Sequence, residues 1–201
     1  TFLPTGRTLR QTFKTANHSL NYDLGYKAFA LRNEISETEA KKIVSLYHDE
    51  AYPGVRKVYH AFVRDSVRRY GHLLNCFGRR RDFLSEPGDE TYRDAYAHIP
   101  QSTVFDLTRL AMVHVYHHER HAELISQDHD AITVQMPPDP EAIAACVGRI
   151  QGVLAHELEY GDSVFSLRSD AKMGLTRSKR QMTKATSDAC QVREALARLA
   201  A

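Results

Sequence analysis

Apolar residues at Ile132, Val134 and Met136 alternate with polar ones, the period-two signature of a half-buried strand. Leu124 and Ile125 open a matching run just before them. The polar joint Gln127-Asp128-His129-Asp130 predicts a hairpin with a tight tip. A carboxylate on rigid strand ends suits a hard divalent cation such as magnesium, which takes oxygen ligands and keeps positions for water and phosphate. A polar β-turn without such a role fits the same residues, because Asp is common in turns.

Elsewhere the period is helical. Thr8 to Tyr22 predicts a helix that aligns Arg10, Lys14 and His18 on one side at i, i+4 and i+8, a face able to hold a polyphosphate or simply to meet water. A short helix follows at Tyr26 to Leu31. Ile35 to Ala51 predicts a third, with Ser36 and Glu39 as a capping box, Ile35 as a staple, and Ala40, Ile43, Val44 and Tyr47 on its buried stripe. Pro53 starts the next, which runs to Tyr70 on a stripe of Val55, Val58, Tyr59, Phe62, Val63 and Val67 and stops at Gly71.

Leu73 to Leu84 predicts a hairpin turning near Gly78. Thr91 to Glu119 predicts a helical region broken near Pro100, with Val104, Leu107, Leu110, Ala111 and Val115 as its apolar face. Asp139 to Leu158 predicts an amphipathic helix on Ile143, Val147, Ile150 and Leu154. Ser163 to Leu167 predicts a terminal strand. After Gly174 come Arg177, Lys179, Arg180 and Lys184, then a helical tail to Ala201.

Composition narrows the class. With 201 residues, 42% hydrophobic and 26% charged, the chain can bury a globular core. No apolar run is long enough to span a bilayer and the first ten residues lack a signal-peptide core, so a soluble protein is expected. The three cysteines, Cys76, Cys146 and Cys190, are scattered and form no C-x-x-C, which argues against a disulfide scaffold or structural zinc and for a reducing compartment. A start at Thr1 rather than Met leaves a fragment or processed piece open. The net charge of +2 hides an uneven distribution. Arg56 to Arg81 holds eight basic residues against one acidic, Asp65, either an attractor of polyanions or a solvated helix face. His114, His117, His118 and His121 offer i, i+4 pairs, but His118-Glu119-Arg120-His121 is not H-E-x-x-H, and an exposed helix face or a phosphate-facing surface is expected rather than zinc.

The succession R-Q-T-F-K-T-A-N-H-S-L-N-Y, E-A-K-K-I-V-S-L-Y-H, Y-P-G-V, L-L-N-C-F-G-R-R-R, R-D-A-Y-A-H-I-P-Q-S-T-V-F-D-L-T-R-L-A-M and Q-D-H-D-A-I-T-V resembles the C-terminal half of the polymerase domain of family A DNA polymerases, the bacterial DNA polymerase I and phage type. The resemblance covers Arg10 to Gly174 in the family's order. It implies an α+β fold: a fingers-like helical region at 1–72, a palm with a small antiparallel sheet packed on helices at 73–176, and a basic helical extension at 177–201. It implies template-directed DNA synthesis by two-metal phosphoryl transfer with Mg2+. Arg10, Lys14, His18 and Tyr22 then match the nucleotide-binding positions of the fingers helix. Arg79, Arg80, Arg81, Arg93, Gln101 and Thr103 match positions that touch DNA. His129 and Asp130 match the catalytic His-Asp motif, with Asp130 a metal ligand.

The chain departs from the family at several positions. His18 stands where Phe or Tyr is usual, Ser19 and Asp23 replace glycines, and Ala97 replaces an Asn. Ala131 replaces an acidic residue, a loss that Asp128, an unusual neighbour two residues before Asp130, is a candidate to offset. The family's other metal aspartate, in a D-Y-S-x-I-E-like motif, has no counterpart before Arg10. The expectation is therefore one piece of a split or fragmented cytoplasmic enzyme (host cytoplasm if viral), inactive alone. Its partners would be primer-template DNA, deoxynucleoside triphosphates and a second chain bearing the thumb and first palm motif. Two alternatives stay open: a fragment of a single-subunit phage-type RNA polymerase, and a noncatalytic nucleic-acid-binding subunit.

Overall fold

The computed structural model describes residues 8–176, 178 and 181–200. Helices dominate, joined by four two-stranded antiparallel sheets, which is the expected α+β class. Two compact units divide the chain, Thr1–Gln101 and Ser102–Ala201. Among the described residues no helix is long and apolar enough to cross a membrane.

In the first unit, α1 (Leu9–Asn21) begins at a capping box in which the Thr8 hydroxyl accepts from the Gln11 amide and the Gln11 side chain accepts from the Thr8 amide. The helix α2 (Tyr26–Asn33) ends on Glu34 at a left-handed φ of 55°. The helix α3 (Glu37–Ser45) starts at the predicted Ser36–Glu39 capping box and then widens into a π turn, Leu46–Ala51. Ala16 and Leu20 of α1, Phe29 and Ala30 of α2, and Ala40, Val44 and Tyr47 form the core of this part. Ile35 packs against it as the staple position predicts. Ile43, expected inside, is 37% exposed, because the buried line is the narrower Ala40, Val44, Tyr47 set.

A second π turn, Val55–His60, leads into α4 (Ala61–Tyr70), which stops at Gly71 with φ 68°. Val63 and Val67 are buried as expected, but Val58 and Phe62 are 68% and 45% exposed. The wider π turn rotates the sequence relative to an α-helix, and His60 takes the inward place. Strands β1 (His72–Leu74) and β2 (Arg80–Asp82) form the predicted hairpin. The Asn75 side chain accepts from the amides of Phe77 and Arg79 at 2.9 Å each, and Gly78 supplies φ 75°.

The expected break at Pro100 does not occur: α5 runs from Asp89 to His118. Proline has no N–H, so the carbonyl of Tyr96 loses its helical donor. The Tyr59 hydroxyl donates to that carbonyl at 2.7 Å. Tyr59→Phe would orphan a carbonyl on a residue that is 1% exposed. A loss of about 1–2 kcal/mol is expected, seen as a melting temperature lowered by roughly 2–8 °C in a thermal scan monitored by circular dichroism.

In the second unit, β3 (Glu123–Asp128) and β4 (Ala131–Gln135) form the predicted hairpin, with an irregularity between Leu124 and Ser126 that leaves Ile125 45% exposed. Asp139 caps α6 (Pro140–Leu154), accepting from the amides of Glu141 and Ala142, with Pro140 at the first helical position. That helix is shorter than predicted. Leu158, expected in it, is buried in β5 (Leu158–Tyr160), which pairs with β6 (Ser163–Phe165). The predicted terminal strand is therefore one arm of a hairpin. A further hairpin follows, β7 (Ala171–Met173) with β8 (Thr183–Ala185), where a basic helical tail was expected. Lys184 lies in β8, while Arg177, Lys179 and Arg180 fall outside the described residues. The tail does end in a helix, α7 (Ala189–Ala200), whose Val192 packs with Ile143 and Ala144 of α6.

Candidate functional site

The β3–β4 ladder pairs Asp128 with Ala131, leaving His129 and Asp130 as a two-residue turn. His129 takes a left-handed φ of 54°, a conformation uncommon for a residue with a Cβ. Asp128, His129 and Asp130 are all exposed. The Ser126 hydroxyl donates to Asp128 at 3.2 Å, and Asp130 has no hydrogen-bond or ion-pair partner among the described residues. Directly opposed residues of an antiparallel ladder share a face, so the Asp128 carboxylate stands on the side that the Ala131 methyl occupies. The tip offers hard oxygen donors suited to magnesium. Among the described residues, however, no three His, Cys, Asp or Glu side chains gather into a set able to hold a metal, and the four histidines from His114 to His121 do not form one.

Arg10, Lys14 and His18 are exposed along α1, and Tyr22 caps its C-terminal end half-buried, its ring 5.1 Å edge-on from that of His18. That end of the helix is tied down. The His60 Nε2 lies 2.8 Å from the Asn21 carbonyl, and the Tyr47 hydroxyl reaches the side chains of Asn17 and Asn21 at 2.5 and 2.8 Å. Asp23, at φ 56°, meets Arg56 at 2.7 Å and Arg64 at 3.6 Å. Burial pushes the Asp23 carboxyl up, but the Arg56 hydrogen bond and the charges of Arg56, His60 and Arg64 together hold it below its usual value. Arg64 also donates to the Tyr96 hydroxyl, and the Tyr96 ring stacks on His60 at 3.8 Å. Beside this network Asp23, Gly25, Arg56, Arg64, Asp89, Tyr92, Arg93 and Tyr96 line a cleft of about 260 Å³.

The three arginines of the β1–β2 hairpin differ in their engagement. Arg80 donates twice to Asp82, at 2.9 and 2.7 Å. Arg81 reaches Asp94 at 3.0 Å and lies over the Phe83 ring. Arg79 is exposed. Arg93 is exposed and lines the cleft, with no hydrogen-bond or ion-pair partner among the described residues. Gln101 is exposed, but Thr103 is buried at 3%.

The sequence matches the family described as DNA polymerase family A over residues 5–186. The chain belongs to that family. A similar solved structure is the polymerase domain of Pol1 from M. smegmatis, in complex with DNA primer-template and dNTP. The TM-score is 0.64 at 23% identity, and the match covers 81% of this chain. It covers 30% of the Pol1 chain, so the present residues span under a third of that length. This likeness establishes the fold. No curated protein matches the sequence.

Two arrangements in this family A chain escape a reading by local pattern. One is the Asp23 network, whose partners lie 33 and 41 positions away; its trace in the sequence is the spacing of Arg56 and Arg64, eight apart on one helical face. The other is Glu119, buried at the end of α5. It accepts from Arg149 at 2.6 and 2.8 Å and lies 3.1 Å from His114. The Arg149 hydrogen bonds hold its pKa down at about 2, against the opposing effect of burial. Cys146, beside it, is pushed up to about 11, chiefly by burial and then by the Glu119 charge, which disfavours its thiolate.

Proposed function

We propose that this chain is the nucleotide- and template-facing part of a template-directed DNA polymerase that adds deoxynucleotides to a primer 3′ end. The observation that carries the reading is the Asp130 carboxylate, unpaired at the tip of the β3–β4 hairpin in a chain of DNA polymerase family A. Residues 1–72 act in this reading as fingers, 73–176 as palm, and 177–201 as a basic extension, in a cytoplasmic setting (host cytoplasm if viral).

Asp130 is the metal ligand, with His129 beside it near the primer end. Asp128 presents a second carboxylate on the face left open by Ala131. Magnesium, when bound, supplies positive charge against phosphate oxygens and lowers the pKa of a coordinated hydroxyl. The other carboxylate of a two-metal site comes from outside these residues, on the polypeptide bearing the first palm motif and thumb. Arg10 and Lys14 grip the triphosphate, one as a fork and one as a point charge. His18 and Tyr22 meet sugar and base. Arg93, with Arg79 to Arg81, Gln101 and Thr103, belongs to the primer-template side; the burial of Thr103 gives it a supporting place there.

Replacing Arg10 and Lys14 together by Ala tests the assignment. Charged hydrogen bonds contribute about 1.5–3 kcal/mol each. The affinity of a labelled deoxynucleoside triphosphate for the primer-template complex is therefore expected to fall about a hundredfold in equilibrium dialysis, with the circular dichroism spectrum unchanged. An affinity within twofold of the parent would refute the role given to α1.

A further inference from the structure

Three guanidiniums line the cleft of the first unit, and they are not equivalent. Arg56 and Arg64 converge on one carboxylate, Asp23, while Arg93 has no hydrogen-bond or ion-pair partner among the described residues. The two engaged side chains are 41% and 39% exposed, so both remain within reach of solvent at the cleft they line. Asp23 itself is held in place by more than its charge partners. It follows the turn of α1 that His60 and Tyr47 tie down, and Arg64 is further fixed by the Tyr96 hydroxyl.

We propose that Asp23 is an electrostatic mask: by holding Arg56 and Arg64 against the end of α1, it leaves Arg93 to meet a nucleic-acid phosphate in this cleft. The proposal rests on the nucleic-acid reading above and specifies how that surface is tuned. A carboxylate bridging two guanidiniums halves their net charge, from +2 to +1, and holds both against Asp23 rather than against a strand. A phosphate entering the cleft must then either dock on Arg93 or compete with Asp23, which is already in position. The number of cations offered to the strand is thereby limited, and with it the sequence-independent part of the affinity. Asp23 is a specificity-determining residue in this sense, and it need not touch the strand.

The sign of the effect separates a mask from a merely structural ion pair. Loss of a structural pair weakens binding or leaves it unchanged, whereas loss of a mask strengthens it and steepens its salt dependence. Asp23→Asn is the suitable variant, because Asn keeps the size and tolerates the left-handed φ of 56° that this position requires. The experiment measures binding of the 201-residue chain to a fluorescent single-stranded oligonucleotide across a salt series, and to fluorescent heparin, a polyanion without bases.

For Asp23→Asn the slope of log K against log salt is expected to steepen by about 0.7–1.4, the contribution of one or two freed phosphate contacts. Low-salt affinity is expected to rise at least about tenfold. Adding Arg56→Gln and Arg64→Gln to Asp23→Asn should return the slope to the parent value. The same two Gln changes with Asp23 intact remove two positive charges and leave its carboxylate unpaired beside Arg93, so low-salt affinity should fall below the parent, and adding Asp23→Asn to them should recover binding; this pair of arms decides the question even where Asp23→Asn alone folds poorly. A slope that Asp23→Asn leaves unchanged, an affinity that Asp23→Asn lowers, or a triple variant whose slope departs from the parent would each overturn the proposal. A gain on heparin with no oligonucleotide binding by any variant would uphold the mask and refute the nucleic-acid reading instead.

Discussion

If the proposed polymerase role holds, Asp130→Ala in the complete enzyme is expected to lower primer extension at least about a thousandfold while primer-template affinity stays within twofold. The size follows from what the side chain would do. A metal that polarises a phosphoryl oxygen contributes several kcal/mol of transition-state charge stabilisation, and each 1.36 kcal/mol is a factor of ten in rate. The specificity follows from position. Asp130 is exposed at a two-residue turn and has no hydrogen-bond or ion-pair partner among the described residues, so its removal breaks no contact of the fold. Single-turnover extension and a parallel binding titration check both halves. Asp128→Ala gives the graded comparison: across the ladder from Ala131, it is expected to cost about tenfold and to raise the magnesium concentration needed. Should Asp130→Ala bind DNA normally and extend at the parental rate, the chain is a noncatalytic nucleic-acid-binding part that keeps the palm fold.

What the sequence discloses and what it conceals divide along the range of the interactions. The Ser36–Glu39 capping box, the Gly71 stop and the His129-Asp130 turn depend on residues within a few positions of one another, and each lies where the pattern puts it. Pro100 follows a local rule that a distant residue overrides, since the Tyr59 hydroxyl supplies the donor that proline lacks. The two π turns are likewise invisible to a 3.6-residue period, and so His60 is inside while Val58 and Phe62 are out. Strand β8 is three residues within a run of basic and polar side chains, too short for alternation to register. At the candidate site, the residues of α1 and the hairpin tip are legible because each set is contiguous. Their collinear order also resembles that of the family. The Asp23 network is not legible in this way, because its members come from three separate elements. Arg80 and Arg81, conspicuous as charge, are engaged by Asp82 and Asp94.

Arg149→Ala is expected to destabilise the second unit at neutral pH, through Glu119. The Glu119 side chain is 4% exposed, and truncating Arg149 removes both of the hydrogen bonds that Arg149 donates to it. Removing one partner of a buried pair costs about 3–5 kcal/mol, because the charge left behind is neither hydrated nor compensated. Arg149 is itself half-exposed, so solvent screening brings the loss below that of a fully buried pair. The pH dependence supplies the sign. Glu119 titrates at about 2 in the folded chain against an ordinary 4.5. A depressed carboxyl stabilises the fold above its unfolded pKa, and that stability disappears as pH falls through the folded value. The parent should therefore lose stability from this group as pH falls from about 5 towards 2. In Arg149→Ala the carboxyl has lost its main stabilising donor and takes up a proton at higher pH. The gap between variant and parent should then be widest at pH 7 and close towards pH 2, as followed by urea denaturation at each pH. Arg198→Ala is the control: its partner Glu194 is as exposed as it is, and a change under about 0.5 kcal/mol is expected at every pH. A constant gap from pH 7 to pH 2 would mean that Arg149 acts by packing its aliphatic stem rather than by holding Glu119 ionised.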